Sequence, residues 1–362
     1  MAQAPVFYDP RMLAYDFGPV HPLRPERLRR AMELLGRLDV LHTDPGLGMS
    51  EDVLRVHSPR YIEAVRRFSG QPASASGFGF DGLDNPPFEG MFEASLAYVG
   101  GTAAAARAVL GGESVAISLS GGLHHAHRER ASGFCIFNDP AIAISILRER
   151  FERVAYIDID VHHGDGVQGL FFADPTVLTC SIHEEGASLF PGTGWVNETG
   201  ASGTAVNVPL EAGTTGDVWL WAFRHAILPT VEAFAPGAIV LQMGTDAHFL
   251  DPLAHLDVAA QDWLEAVRAV KGLGLPIVAV GGGGYNLTTV PRMWAAATLT
   301  LLGRAAPDRL PDDLAAAWGT TSFFDAEPPG PSGRGRAYAE AVATELANRP
   351  PREAERTPPA YS

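Results

Sequence analysis

A chain of 362 residues with 46% hydrophobic content can bury one large core, and it is read here as a single α/β domain. Its 27 Lys+Arg stand against 42 Asp+Glu, a net charge of -15, so no global positive field exists to attract a phosphate backbone, and direct nucleic-acid binding is not expected. No stretch approaches the roughly 18 apolar residues of a membrane span, and MAQAPVFYDPRM lacks the basic-then-apolar pattern of a leader, so no membrane association and a cytoplasmic location are expected. Cys135 and Cys180 form no CxxC pair and are expected as buried free thiols.

In chain order, the Ala-rich segment 89–110 reads as a tightly packed helix, and VAISL (115–119) as a buried strand. A helix over 139–150 and the apolar runs VAYIDID (154–160), TVLTCSI (176–182) and AVNVPL (205–210) follow. A helix over 215–234, the strand AIVLQM (238–243), a helix over 257–273, the strand PIVAVG (276–281) and a helix over 288–302 complete the pattern. Strands alternating with helices predict a mostly parallel sheet covered by helices on both faces. From about Ala326 the chain turns Pro/Gly-rich. This divides it into a domain over 1–325 and a tail over 326–362, in which AYAEAVATELANR can form one short amphipathic helix before an end expected to fray.

In open parallel sheets ligands bind outside the carboxyl ends of the strands. There the sequence concentrates its chemistry, with SGGLHHAH, DIDVHHGDG, GTDAH and GGGGY each following a strand. Asp158, Asp160 and His162 alternate, which on an extended strand end points all three to one side. Asp160 and His162 can reach one cation, and Asp246 completes three protein ligands, leaving a position open as in catalytic rather than structural sites. A DxDxH run alone could equally solvate a loop or cap a helix. The adjacent histidines His124 and His125 could take different protonation states from different carboxylate partners, for which Asp158 and Asp165 are available. The run 281–284 has no GK[ST] after it, so a phosphate loop is disfavoured. Instead the glycines would let backbone crowd a pocket while Tyr285 points a phenol at a developing oxyanion.

HPLRPERL (21–28), HSPRYIEAV (57–65), GGLHHA (121–126), ASGFCIFND (131–139), YIDIDVHHGDGVQ (156–168), FPGTG (190–194), LQMGTDAH (241–248) and GGGGYN (281–286) together resemble the histone deacetylase family in order and spacing. GTDAHFLDPLAHL is most similar to the bacterial acetoin-utilisation deacetylases, close to the class I enzymes. The resemblance spans about residues 5 to 302. It implies the arginase/deacetylase fold, zinc on Asp160, His162 and Asp246, paired catalytic histidines His124 and His125 backed by Asp158 and Asp165, and a carbonyl-polarising Tyr285. It further implies that Gly133, Phe134 and Phe190 wall a narrow acyl-lysine channel, with Leu253 at its rim and Asp84 binding the substrate backbone. A structural potassium or sodium ion is implied near Asp158, Asp160, His162, Ser181 and Ile182, and a second near Phe171, Asp174 and Val177. Arg27 either lines an inner cavity, as the resemblance implies, or is a helix-surface arginine in RPERLRR. His163, His183, His248 and His255 are assigned no catalytic role.

The expected activity is hydrolysis of N-acetyl-lysine in an acetylated protein or peptide, with zinc favoured and iron(II) able to compete at so oxygen-rich a ligand set. No GxSxG elbow occurs and Cys135 lacks an electropositive setting, so no covalent acyl-enzyme is expected. The alternatives are an acetylpolyamine deacetylase and, from another class, a catalytically silent acetyl-lysine binder. An arginase-like ureohydrolase would want a binuclear site with more aspartates. Oligomeric state is left open.

Overall fold

Six short apolar runs become the six strands of one sheet: β1 (Val115–Ser118), β2 (Val154–Asp158), β3 (Val177–Glu184), β4 (Ala205–Leu210), β5 (Ala238–Gln242) and β6 (Ile277–Val280). The computed structural model describes residues 4–349. The sheet runs β1-β6-β5-β2-β3-β4, every neighbouring pair parallel. All strand residues are buried, as two covered faces require.

Alternation along each strand divides the core in two. Ala155, Ile157, Ile239, Leu241, Ile277 and Ala279 face one cluster, and Val154, Tyr156, Ala238, Val240, Val278 and Val280 face the other. Helices Glu26–Arg37, Ala260–Gly272 and Thr289–Leu301 bury their apolar residues in the first cluster, while Pro59–Gly70, Met91–Leu110 and Asp139–Leu147 cover the second. The segment expected as one helix over 215–234 is helical throughout but widens into a π-turn at Phe223–Ile227. Pro229 follows and has no N–H to return to the preceding turn, so the ladder adjusts there.

The tail region contains the helix Arg336–Ala347, whose Ala339 and Val342 enter the first core cluster. Residues 350–362, expected to fray, lie outside the described residues. Among the described residues no helix is long and apolar enough to cross a membrane. Cys135 and Cys180 are free and buried.

Strand order places the topological switch between β2 and β5. The chain leaves β2 outward through β3 and β4, then returns to β2's other side, with Asp158 in register with Gln242. The loops after β2 and β5 therefore open a crevice between them.

Helix Met91–Leu110 approaches β1 closely at Gly101, where an added Cβ would lie 2.3 Å from Ser118 Oγ and 2.8 Å from Met12 Cε. At Gly36, in helix Glu26–Arg37, a Cβ would meet nothing within 4 Å. Opposite outcomes follow from one chemical change. Gly101→Ala should destabilise by about 1–3 kcal/mol through overpacking, whereas Gly36→Ala should stabilise by roughly 0.5–1 kcal/mol. Paired thermal melts check both signs.

Candidate active site

The crevice at the switch gathers the chemistry. Asp158 ends β2, Asp160 and His162 follow it, and Asp246 follows β5. Asp158, Asp160 and Asp246 are fully buried, and His162 is nearly so. His162 Nδ1 lies 3.2 Å from Asp160 Oδ1 and 3.0 Å from Asp246 Oδ2, and one donor atom from each of the three lies within 4.8 Å of the others. Backbone and amide donors orient the carboxylates. Asp160 Oδ2 accepts from Gln242 Nε2 and from the Gly283 N–H, both at 2.7 Å, and Asp246 Oδ1 accepts from the Val161 N–H at 2.9 Å.

The electrostatics fit a divalent cation. Burial and the neighbouring Asp160 charge push the Asp246 carboxyl up to about 7. Burial would lower the His162 imidazole, but hydrogen bonds to Asp160 and Asp246 outweigh it and hold the group up at about 10. Two carboxylates and an imidazole that compete for protons at this depth are a donor set short of positive charge, which a hard or borderline dication could supply.

Beside this set stand the two histidines, each on its own carboxylate. His124 Nδ1 is 2.7 Å from Asp158 Oδ2 and His125 Nδ1 is 2.7 Å from Asp165 Oδ1, while the two Nε2 atoms are 3.0 Å apart. That contact needs one donor and one acceptor, and the surroundings assign them. Burial opposes a charge on His124, but the Asp158 and Asp160 charges prevail and raise it to about 9. Burial and the charge on His124 lower His125 to about 3, despite its bond to Asp165. Burial and neighbouring charge thus favour the proton on His124 over His125, which suits His124 as donor and His125 as acceptor in that contact.

Tyr285 closes the crevice from the loop after β6. It lines a cavity of about 20 Å³ with Arg27, His124, His125, Asp160 and Gly282, large enough for a water. Burial and the charges of Asp246 and Asp160 push its phenol well above the usual range, which keeps it a donor. A Cβ on Gly283 would lie 2.0 Å from Asp246 Oδ2, so backbone alone fits against the carboxylates. Arg27 is buried, not on the helix surface, and donates from Nη1 to the carbonyls of Gly282 and Gly284 at 2.8 and 2.9 Å.

The expected channel residues separate into two groups. Gly133 and Phe134 form a two-residue turn with φ of +49° and +67°, closed by reciprocal hydrogen bonds between Ser132 and Cys135. A Cβ on Gly133 would lie 2.4 Å from the His125 ring. Phe134 sits edge-on to Tyr285 at 5.7 Å, and Phe190 to His125 at 5.0 Å. Asp84 and Leu253 instead lie on outer loops. Asp84 is exposed, with its backbone carbonyl near His21 Nε2 at 3.3 Å, and Leu253 is half-buried. Of the residues expected around one monovalent cation, Ser181 pairs in register with Asp158, and Asp160 and His162 follow the end of that strand. At the other expected position the Asp174 carboxylate already accepts from Arg148 and Thr176.

Four positioning groups lie inside the quoted motifs but were assigned no role there. Asp139 accepts from the Gly122 and Leu123 N–H groups at 2.8 and 2.9 Å, and Asn138 donates to the carbonyls of His124 and Ala126, so together they hold the HisHis turn. Gln242 binds Asp160 from within an apolar strand, where a lone buried amide was the available signal. His127 Nε2 lies 3.1 Å from Asp165 Oδ2, sharing the carboxylate that holds His125. His163, His183 and His248 are buried in hydrogen bonds away from the centre, and His255 is exposed beside Glu184.

Comparison with known proteins gives the same site a lineage. A model of the histone deacetylase domain matches residues 21–301. The chain is 38% identical to the acetoin utilization protein AcuC of Bacillus subtilis, over 88% of this chain and 87% of that one. It is 37% identical to histone deacetylase clr6 of Schizosaccharomyces pombe, over 84% of this chain and 78% of that one. The crystal structure of an HDAC homolog complexed with SAHA superposes with a TM-score of 0.87 at 27% identity, covering 95% of this chain and all of that one. With a domain match over most of its length, and with the parallel sheet and buried Asp/His centre that sequence pattern foretold, the chain belongs to the histone deacetylase family and has the arginase/deacetylase fold.

Proposed function

We propose that this hydrolase removes acetyl groups from N-acetyl-lysine side chains of proteins or peptides. One observation carries the reading: the buried Asp160, His162 and Asp246 cluster stands beside a histidine pair, each member on its own carboxylate, with Tyr285 lining the cavity that His124, His125 and Asp160 share. The aromatic walls Phe134 and Phe190 suit an unbranched aliphatic stem, and the relatives named histone deacetylases support a protein substrate. Asp84 is proposed to bind substrate backbone and Leu253 to touch it at the rim.

Zinc on the three ligands would supply Lewis acidity to a carbonyl oxygen and to water. This chain's residues do the rest. His125, anchored through Nδ1 to Asp165 and with Nε2 kept unprotonated by the facing His124, takes the proton at Nε2 as its contact with His124 gives way. His124, charged and held by Asp158, keeps that neighbour neutral and holds a proton available for the leaving amine. Tyr285 donates its hydroxyl to the carbonyl oxygen as negative charge grows there. The Cys135 thiol, pushed well up by burial, stays protonated and out of the chemistry.

Replacing Asp160, His162 or Asp246 singly by Ala should strip the dication and abolish turnover. Elemental analysis of each purified variant checks it, and full metal occupancy in one would remove that residue from the ligand set. Tyr285→Phe should retain metal and lose about 10²–10³-fold in kcat with little change in KM. Near-normal kcat in that variant would reduce Tyr285 to a lining aromatic. The substrate is decided by acetyl-lysine peptides and acetylpolyamines assayed side by side, with kcat/KM expected to be higher on the peptides. A higher value on the polyamines would replace the proposal, and binding of acetyl-lysine without turnover on either would make the protein a reader.

A further inference from the structure

Tyr285 follows four consecutive glycines, so its own loop offers no side chains to wedge it in place. Gly282 and Gly284 have φ of +146° and +121°, a region in which glycine moves freely. A hydroxyl that must meet a growing charge needs its backbone fixed to within about half an ångström. Something outside the loop has to grip it.

We propose that Asp251 is the positioning residue for Tyr285, and that its carboxylate clamps the tyrosine to the rim loop of the channel. Asp251 Oδ2 accepts the Tyr285 N–H at 2.7 Å, and Oδ1 accepts the Leu253 N–H at 3.0 Å. One buried carboxylate thus spans the reacting centre and the substrate-facing edge. A second tie runs parallel to it, from Asn286 Nδ2 to the Leu250 carbonyl at 3.1 Å. The loop that carries Asp251 is itself anchored behind. His248 Nδ1 accepts the Leu250 N–H at 3.1 Å, and His248 Nε2 lies 3.0 Å from Asp325 Oδ2. Asp325 is paired at its other oxygen with Arg292 at 2.5 Å and also receives the Ala260 N–H at 2.8 Å. The clamp thus ends on two helices of the core, Ala260–Gly272 and Thr289–Leu301. Asp251 does not touch substrate in this scheme. It acts through Tyr285, and the inference rests on the reading of Tyr285 as the oxyanion donor.

The test combines exchange with a double-mutant cycle on the full chain. Hydrogen exchange of Asp251→Asn and Asp251→Ala should show at least about tenfold faster exchange at the Tyr285 and Leu253 amides, with the core strands unchanged. Asn is the variant of record should Ala melt the loop, because it keeps the volume and leaves one acceptor for two N–H groups. Unchanged exchange at Tyr285 in both variants overturns the clamp. On an acetyl-lysine peptide, Asp251→Asn should lower kcat about tenfold or more while KM moves less than about threefold. In a Tyr285→Phe background the same substitution should cost less than about twofold, since the hydroxyl it positions is already gone. Multiplicative losses in that cycle overturn the proposal, because Asp251 would then act elsewhere. A wild-type protein inactive on both peptides and polyamines would sink the deacetylase reading instead, and the exchange result would still decide the clamp.

Discussion

Three carboxylates buried beyond the reach of bulk water, Asp158, Asp160 and Asp246, are the constraint to which the centre of this molecule answers. An ionised carboxylate at such depth is tolerated only with donors or counter-charge around it. The parallel sheet supplies the first kind, because strand ends and the loops after them present N–H groups inward. Asp160, Val161, His162 and Gly283 each donate a backbone N–H to one of the three. Gln242, Tyr156 and His124 add side-chain donors. The remaining deficit of positive charge is what a dication would meet, and the same field holds a proton on His124 and keeps the Tyr285 phenol from ionising.

Much of this was legible because burial on both faces leaves an unambiguous mark on a strand. All six apolar runs are strands, and their ends lie within three residues of the sequence boundaries. Asp158, Asp160 and His162 stood out by alternation after an apolar run, a pattern that alone could equally solvate a loop or cap a helix and that gained weight only beside the paired histidines and Asp246. Helix ends were less clear. The segment 139–150 stops at Leu147, since Arg148–Arg150 have no apolar face left to bury. The helices before residue 89 carry period-3.6 patterns of their own, as in Leu28, Ala31, Leu34 and Leu35, but strand alternation does not call for them.

What sequence did not show is mostly what holds the motifs rather than what fills them. Asp139 and Asn138 sit in a run that reads as an ordinary helix start, and Asn138 does cap that helix through Ala141. Nothing local reveals that both also grip the HisHis turn, because the partners are about 12 to 17 residues away in a folded loop. Arg27 illustrates the opposite case. The other charged residues of RPERLRR are exposed or half-buried, and Glu26, Arg29 and Arg30 pair along the helix, while Arg27 turns inward to the carbonyls of the glycine loop. Helical phase, not residue type, separates the two fates, and phase depends on which face the sheet claims.

Composition misleads most where a flexible stretch leads to a docked one. The Pro/Gly-rich residues from about 326 mark a break in regular structure, yet Arg336–Ala347 beyond them packs Ala339 and Val342 into the same core as β5 and β6. Just before the break, Asp325 joins His248, Arg292 and the first turn of helix Ala260–Gly272. Asp325 itself lies beyond the 21–301 span of the family domain, while its partners lie within it. Prolines in that segment lower the entropy cost of ordering it by thinning its unfolded states, while its glycines raise that cost, so the apolar area buried by the helix beyond is what pins it. It can therefore carry a chain across a surface to a helix that has apolar area to bury. The loops around Tyr285 are thus braced in part by Asp325, a residue that neither the span of the family match nor local composition would assign to the active site.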